Sequence, residues 1–513
     1  MAKVKLYCPK CSSEGMSKWG KTTNIGAVKQ NYKCKNPSCA KRTTSPLKSE
    51  PSEITPMRKS LPKVKRYIIT AAQNATPIHK DLWKSLKHCA EHYDAELVVI
   101  PGRYKNPTSQ WTEHNEHQEW WDKDVMPHLT HGTINLGSRL VILGDVKVQW
   151  AAMNPLTSLE TLTGDKSGIV GHARLALKSV ATPQHHHAKI MFTTGCVTQP
   201  NYTDTKQGSI AKFNHAYGAL IVEVADDRFH VRQLSAMRKG SFCDLDKEFT
   251  PEGVQDAPRP LSLTMGDTHW AKIDPDVYHA TFKDMLPSLK PHYLIWHDLL
   301  DQYARNHHHK NNYLLEYRKH KLKQDDIRAE VYAALDALEM ETPHDSQSIV
   351  VSSNHDRALH RWLLEAKIKE DPVNLEFHNE LMSEVLKHYR ENNYEDVDPF
   401  ILLGRKELAN FKNIRFLGGD ESFMLNGVEH CLHGDKGPNG SRGSTRNLSR
   451  IGVKVTKGHS HTAEIIDGCY STGKSTGRLE YESGPSSHSN THCLQYHNGK
   501  RTLITIINGK YKL

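Results

Sequence analysis

The sequence predicts an α/β protein fronted by a small four-cysteine module. Three observations carry this reading. Cys8, Cys11, Cys34 and Cys39 stand in two short knuckles, CPKC and CKNPSC. From Arg66 onward, apolar β-branched runs alternate with helix-period stretches, the pattern of strands packed against helices. From Leu261 onward, five strand-like runs each end in Asp, His or Asn.

The knuckles are separated by 22 residues, which suits one tetrahedral ion held by four thiolates. Zinc prefers such a set, and a module too small for a core draws its folding energy from the metal. Residues 1–45 are therefore expected to form a ribbon with one structural zinc. Its two strand-like runs carry Trp19 and Tyr32, able to cover the site or to stack on bases. The segment 1–66 holds 16 Lys and Arg against 3 acids, a net +13, and leaves 52 basic and 55 acidic residues for the remainder. Four thiolates and one zinc would reduce that charge to about +11. Charge concentrated in this way favours polyanions, although a ribbon also serves for protein docking. Residues 46–65, with several prolines and no apolar period, read as a flexible linker.

Residues 66–255 read as an α/β domain of unknown role. RYIITAAQ and AELVVIPG are strand-like, KDLWKSLKHCAEHY is an amphipathic helix, and SRLVILGDV, AKIMFTTG, YGALIVEVADD and FHVRQL add strands. GDKSGIVGH lacks the Walker spacing and lysine and is expected to be an ordinary loop. His185, His186 and His187 are adjacent, as in many solvated loops, and define no site.

Residues 256–513 carry the chemistry. LSLTMGDTHW delivers Asp267 and His269, two apart and hence expected on one side of a strand end. HYLIWHDLLD ends at Asp298, SIVVSSNHD at Asn354, His355 and Asp356, VEHCLHGDKG at His433, and VKVTKGHSHT at His459 and His461. Each motif alone is weak; their order after successive strands is distinctive. Mixed imidazole and carboxylate ligands suit Mn, with Fe or Zn as alternatives. Lys436 and Arg442, in the Gly-rich stretch after His433, are candidate substrate-binding residues; a plain loop remains the alternative. Residues 299–345 exceed a plain crossover and are expected to form a cap or dimer-forming helices, which leaves a homo-oligomer open. Asn498 and Gly499 read as a type I′ hairpin turn.

In these motifs the region 261–513 resembles the calcineurin-like metallophosphoesterase superfamily, including its Mre/SbcD-type DNA nucleases. The family order of DxH, GDxxD, GNHD or GNHE, an isolated His and GHxH appears here as GDTH, HDLLD, SNHD, HGDKG and GHSH. The resemblance implies a C-terminal four-layer αββα metallophosphoesterase sandwich with two divalent metals. Asp267, His269 and His461 would hold one, Asn354, His433 and His459 the other, and Asp298 would bridge them. It implies His355 as general acid with Asp356 orienting its imidazole, and Asp301 orienting a ligand or Asn354. His297 and Ser353 stand where the family usually has Gly. The whole chain also resembles the pre-early host-genome-degrading nucleases of large tailed phages.

At 513 residues several domains are expected, and no apolar run is long enough for a membrane span. No signal-peptide pattern opens the chain, which points to a cytoplasm, the host's if the chain is phage-encoded. The ten cysteines are expected to be reduced. The expected function is a metal-dependent DNA nuclease whose ribbon aids nucleic-acid binding, because a tethered cationic module has little use in a small-metabolite phosphatase. The alternatives are a phosphomonoesterase or protein phosphatase with a docking ribbon, and a catalytically idle nucleic-acid-binding protein.

Overall fold

The computed structural model describes residues 6–513 apart from 9, 12, 25–26, 45, 47–56, 109–119, 184–185, 187 and 420. It divides into two compact units, Met1–Met57 and Arg58–Leu513. The first is a three-stranded antiparallel ribbon of Met16–Asn24, Ala27–Cys34 and Arg42–Thr43. Of the linker expected at residues 46–65, 47–56 lie outside the described residues, as do His185 and His187, whereas 58–65 are anchored on the second unit: Arg58 donates to the Leu97 and His128 carbonyls, and Leu61 and Val64 pack against its core.

The second unit is mixed α/β. Arg66–Gln73 and Glu96–Gly102 pair in parallel across the helix Lys80–Tyr93, as expected of a βαβ unit. That helix buries Leu82, Trp83, Leu86 and Cys89, spaced to share one face. It starts where the His79 ring accepts the Leu82 N–H and stops at Asp94 in a left-handed conformation. With Gly218–Val224 and Phe229–Ser235 these strands form a four-stranded sheet.

A six-stranded sheet holds Ser262–Thr264, Tyr293–Trp296, Gln347–Val350 and Ile414–Phe416 in parallel, with the hairpin Thr491–Gln495 and Arg501–Thr505 on one side. One face carries Leu263, Leu294, Trp296 and Val350 into a core shared with the helices Ile327–Glu341, Ala358–Glu365 and Pro399–Glu407. The other face carries Ile295, Ile349 and Val351 against Leu425 of a ten-stranded sheet. Such strands are apolar on both faces because neither face meets water.

The ten-stranded sheet changes the expected division near residue 256. Its strands between residues 133 and 193 bond to strands between 424 and 471, with Leu177–Val180 paired directly to Glu464–Ile466. Ile69, Leu220, Ile190, Ile465, Cys493 and Leu503 then share one core across all three sheets. Residues 66–255 and 256–513 are thus interleaved in one unit.

Three local expectations are corrected. Ser167–Val170, within the expected GDKSGIVGH loop, is a fully buried strand. Its Gly168 is packed so closely that a Cβ would meet the Met191 side chain at 2.6 Å. In the 299–345 segment, Ile327–Glu341 is a core helix contributing Val331, Leu335 and Leu338, and only Tyr313–Lys321 is mostly exposed. Between the strands Ser262–Thr264 and Tyr293–Trp296 the chain is helical and runs through a π-turn at His279–Met285. At Asn498–Gly499 only Gly499 has positive φ, so the hairpin is not type I′, which needs two such residues.

All ten cysteines are free thiols. Among the described residues, no helix is long and apolar enough to cross a membrane.

Candidate metal centres

In the ribbon unit, the Cys8 and Cys39 sulfurs stand 3.7 Å apart and those of Cys11 and Cys34 3.6 Å apart. A disulfide needs about 2.05 Å. The edge of a tetrahedron with Zn–S distances of about 2.3 Å is roughly 3.8 Å. Backbone N–H groups of Lys10 and Asn36 donate to Cys8 and Cys34, the knuckle geometry that supports thiolates. Burial and the neighbouring thiols push Cys34 up to about 12, so four thiolates at this spacing call for a cation. The set fits one tetrahedral ion. Trp19 does not cover it: its ring lies between Lys33, 4.6 Å away, and Arg42, 4.9 Å away. Tyr32 packs beside the cysteines.

The second centre collects where parallel strands end. Ser262–Thr264, Tyr293–Trp296 and Gln347–Val350 point their carboxyl ends to one edge, which gathers Asp267, Asp298 and Asn354. Val428–Glu429 and Lys454–Lys457, parallel in the ten-stranded sheet, lead into His433, His459 and His461. The ligand atoms of Asp267, His269, Asp298 and His461 all lie within 4.8 Å of one another. His269 Nε2 is 3.1 Å from His461 Nε2, and His461 Nε2 is 3.3 Å from Asp267 Oδ2. Beside them, Asn354 Oδ1 is 2.9 Å from His433 Nε2 and 3.0 Å from His459 Nδ1. Asp298 Oδ2 stands between the groups, 3.2 Å from His433 Nε2 and 3.8 Å from His269 Nε2.

The backbone aims these groups by a route the sequence did not show. Asp267 and His269 lie beyond the strand, which stops at Thr264, so strand alternation does not place them. His269, Asp298, His459 and His461 instead have positive φ of 42°, 43°, 72° and 52°. Left-handed non-glycine residues cost energy and collect at functional sites. Bonds from the His269 N–H to the Asp298 carbonyl (2.7 Å) and from the Thr268 N–H to the His297 carbonyl (2.9 Å) lock the two loops together. Gly458 is required: a Cβ there would sit 2.1 Å from Asp267 Oδ1.

The electrostatics fit cations. Both Asp267 oxygens are buried, with His461 Nε2 3.3 Å from Oδ2. Burial and the Asp298 charge push this carboxyl up to about 6. Burial and the His433 charge lower His459 to about 4, and burial with the His269 charge holds His461 well below its ordinary value. Both are therefore neutral at pH 7, with a lone pair to offer. Although burial opposes it, the Asp301, Asp298 and Asp267 carboxylates raise His269 to about 9; a bound cation would have to displace that proton. Burial likewise opposes ionisation of Asp298, yet the charges of His433 and His355 hold it well below the carboxylate range.

Around this ring, Asp301 Oδ1 lies 2.9 Å from His269 Nδ1, leaving Nε2 to face the centre. Its backbone carbonyl lies 2.9 Å from His355 Nδ1. Asp301 therefore addresses His269 and His355 rather than Asn354. The pairing expected between Asp356 and the His355 imidazole is not formed. Asp356 is buried and accepts from the Ser353 hydroxyl (2.7 Å) and the Leu300 N–H (2.9 Å). Burial and the Asp298 charge push it up to about 7. Ser353 at the usual Gly position thus staples the turn, and His297, also buried, sets its Nδ1 3.4 Å from His433 Nδ1. Lys436 and Arg442 are exposed on a hairpin-like loop, away from any ion pair.

Two contributors carried no sequence signal. His492, buried and lowered to about 4 by burial, accepts the Gly266 N–H at 2.9 Å and meets Thr281 Oγ1 at 2.8 Å, tying the π-turn to the first motif. Beside His461, Glu482 binds His488 (3.0 Å) and Lys474. Neither residue stands in a motif; only folding brings them here.

The chain is 34% identical over 466 residues to Protein A1 of Escherichia phage T5, spanning 87% of this chain and 83% of that protein. No family model matches it. Among solved structures, Vps29 of Chaetomium thermophilum, crystallised with a cyclic peptide, is 12% identical. That match has a TM-score of 0.20, over 38% of this chain and 97% of that one, too slight a likeness to argue from.

Proposed function

The chain belongs to the same family as Protein A1 of Escherichia phage T5, and from that premise we propose that it is a two-metal phosphodiesterase that hydrolyses DNA. One observation carries the proposal. Asp298 stands between two groups of imidazole, carboxylate and amide donors, Asp267, His269 and His461 on one side and Asn354, His433 and His459 on the other. Two such groups sharing a carboxylate match the demand of a metal pair spaced by about 3.5–4 Å. The donor chemistry favours Mn, with Fe or Zn as alternatives. When bound, a pair of divalent cations supplies Lewis acidity toward the phosphoryl oxygens and a water of lowered pKa.

The chain's own residues do the rest. The Asp301 carbonyl engages His355 Nδ1, which leaves Nε2 as the working nitrogen, and the side chain is 17% exposed. His355 is thus set to give a proton from Nε2 to the departing alkoxide. Its backbone N–H donates to Asp298 Oδ1 at 3.2 Å, fixing the acid to the central carboxylate. Asp301 orients His269, and His297 packs against His433. In the ribbon, exposed Trp19 beside Lys33 and Arg42 gives an aromatic surface suited to nucleotide stacking, and the unit's 11 Lys and Arg against 3 acids, a net +8, favour polyanions.

The test is to strip the full chain with EDTA, restore Mn²⁺, and offer plasmid, single-stranded DNA, RNA, bis-p-nitrophenyl phosphate and p-nitrophenyl phosphate in parallel. DNA and the diester are expected to be cut only with metal restored. Cleavage of the monoester alone would replace the proposal with a phosphomonoesterase, and undiminished DNA cleavage in EDTA would end the two-metal reading.

A further inference from the structure

A cleft of about 1100 Å³ opens in the large unit between segments drawn from residues 174–248 and from residues 426–501. Topology places it away from the metal centre. The strand Lys454–Lys457 starts at the cleft with Lys454 and leads out toward His459 and His461. The strand Ser262–Thr264 runs toward Asp267, whereas its antiparallel partner ends at Gln495, just before the turn His497–Lys500 that lines the cleft.

Seven Lys and Arg side chains line it against two carboxylates, Glu248 and Asp467. Asp467 is taken by Arg174, and Glu248 accepts from Gln255. Arg501 is spent on the carbonyls of Val455 and Gly468 and on the Tyr470 ring, 4.0 Å away. Lys212, Arg238, Lys239, Lys454 and Lys500 form no ion pair with any described residue. The unit Arg58–Leu513 carries 57 Lys and Arg against 55 acids, a net of only +2, so five unpaired cations around one cleft are a local concentration of charge.

Two observations separate the cleft from an ordinary solvated face. Arg174 is 5% exposed, and its buried Nη2 has no partner while Nη1 holds Asp467. Lys500 is partly buried beside Lys454, and neither lysine has an ion-pair partner among the described residues; burial and the Lys454 charge lower the Lys500 pKa. Buried cations are normally paired, and an anion from outside would supply the missing partner. The volume exceeds the range of compact small-molecule sites, about 300–1,000 Å³.

We propose that this cleft is a second nucleic-acid site, which grips the phosphodiester backbone of a strand away from the metal centre. Contacts of this kind position a strand without reading its sequence. The inference rests on the nuclease reading only for the identity of the polyanion.

The test uses the full chain in EDTA, so that binding is read without cleavage, with fluorescein-labelled single-stranded and duplex oligonucleotides across a salt series. Two charge reversals are compared, Lys454→Glu with Lys500→Glu, and Arg238→Glu with Lys239→Glu on an exposed loop. Lys369→Glu with Lys387→Glu, exposed on the helical side, is the control. Each cleft pair should weaken binding and flatten the log–log salt slope on duplex by about 1.8, two contacts at roughly 0.9 each. Thermal melts verify folding, and the loop pair decides if the strand pair melts early. Unchanged affinity and slope in a folded cleft pair would overturn the proposal, as would an equal loss in the control. Displacement of the oligonucleotide by polyglutamate as readily as by unlabelled DNA would also overturn it, in favour of an acidic peptide. Hydrolysis of bis-p-nitrophenyl phosphate with Mn²⁺ is measured separately: absence of that activity with the cleft effects intact removes the nuclease reading and leaves the binding site standing.

Discussion

At the scale of the residue, the candidate centre makes separable demands on its side chains. The His355 side chain is 17% exposed; the Asp301 carbonyl holds its Nδ1, and the His269 ring packs edge-on against it at 4.5 Å. His355→Asn should lower kcat by about 10²–10⁴-fold, the range for a lost general acid, with bound metal unchanged by elemental analysis. A fall in metal content instead would make His355 a ligand. Asp301→Asn acts through His269, whose Nδ1 the carboxylate holds at 2.9 Å, while the backbone carbonyl on His355 is retained, and should cost about 10–100-fold in metal affinity or activity. The readout is a metal titration beside the pH–rate profile, since a purely structural role would move neither. Asp356→Asn tests the corrected assignment: the residue serves the Ser353 turn, so melting temperature should change with little alteration of the acid limb of that profile.

Elements impose the next set of constraints. Strand ends converge only because glycine permits close approach, most sharply where Gly458 faces Asp267. Gly458→Ala should displace the carboxylate, and the measurement is metal stoichiometry; a full complement would show that the loop gives way without cost. Between the strands Gly218–Val224, Phe229–Ser235 and Phe242–Asp244, buried Arg232 binds Asp244 through two nitrogens, at 2.7 and 2.8 Å, and Glu223 at 2.8 Å. Removing one partner of such a set typically costs about 3–5 kcal/mol. Asp244→Ala should show this in denaturant unfolding. Burial works against the Glu223 carboxylate, but Arg232 and Arg66 outweigh it and lower its pKa. A depressed carboxylate contributes stability above its unfolded value, near 4.5, and that contribution is lost as pH falls through the folded value. Melting temperature should therefore drop on acidification below that range, and less steeply in Glu223→Gln.

The whole molecule consists of two compact units that draw stability from different sources, a four-thiol cluster in one and a continuous core across three sheets in the other. Chelation at high affinity should unfold the ribbon and leave the large unit's melt in place, as seen by separate transitions in calorimetry. Deleting residues 1–57 should spare hydrolysis of bis-p-nitrophenyl phosphate and weaken binding to long DNA. Identical affinities across a salt series for full and truncated chains would assign the ribbon to protein docking.

The sequence by itself determined the local chemistry: the cysteine knuckles, the helix Lys80–Tyr93, the apolar strands and the ordered set of Asp, Asn and His residues. These are legible because spacing and periodicity are properties of neighbouring residues. Only the tertiary structure decided that residues 66–255 share a sheet with 256–513, since the pairing of Leu177–Val180 with Glu464–Ile466 joins strands almost three hundred residues apart and leaves no local trace. It also decided that Asp301, not Asp356, addresses His355. One residue of sequence separation suggested the wrong partner, because the turn that follows a strand sends adjacent side chains in opposite directions. The orientation of the ligands depends on four left-handed residues held by bonds between loops, and the cationic cleft on charges gathered from distant segments. Neither can be read along the chain, because both arise from where the packed core forces distant backbone segments to meet.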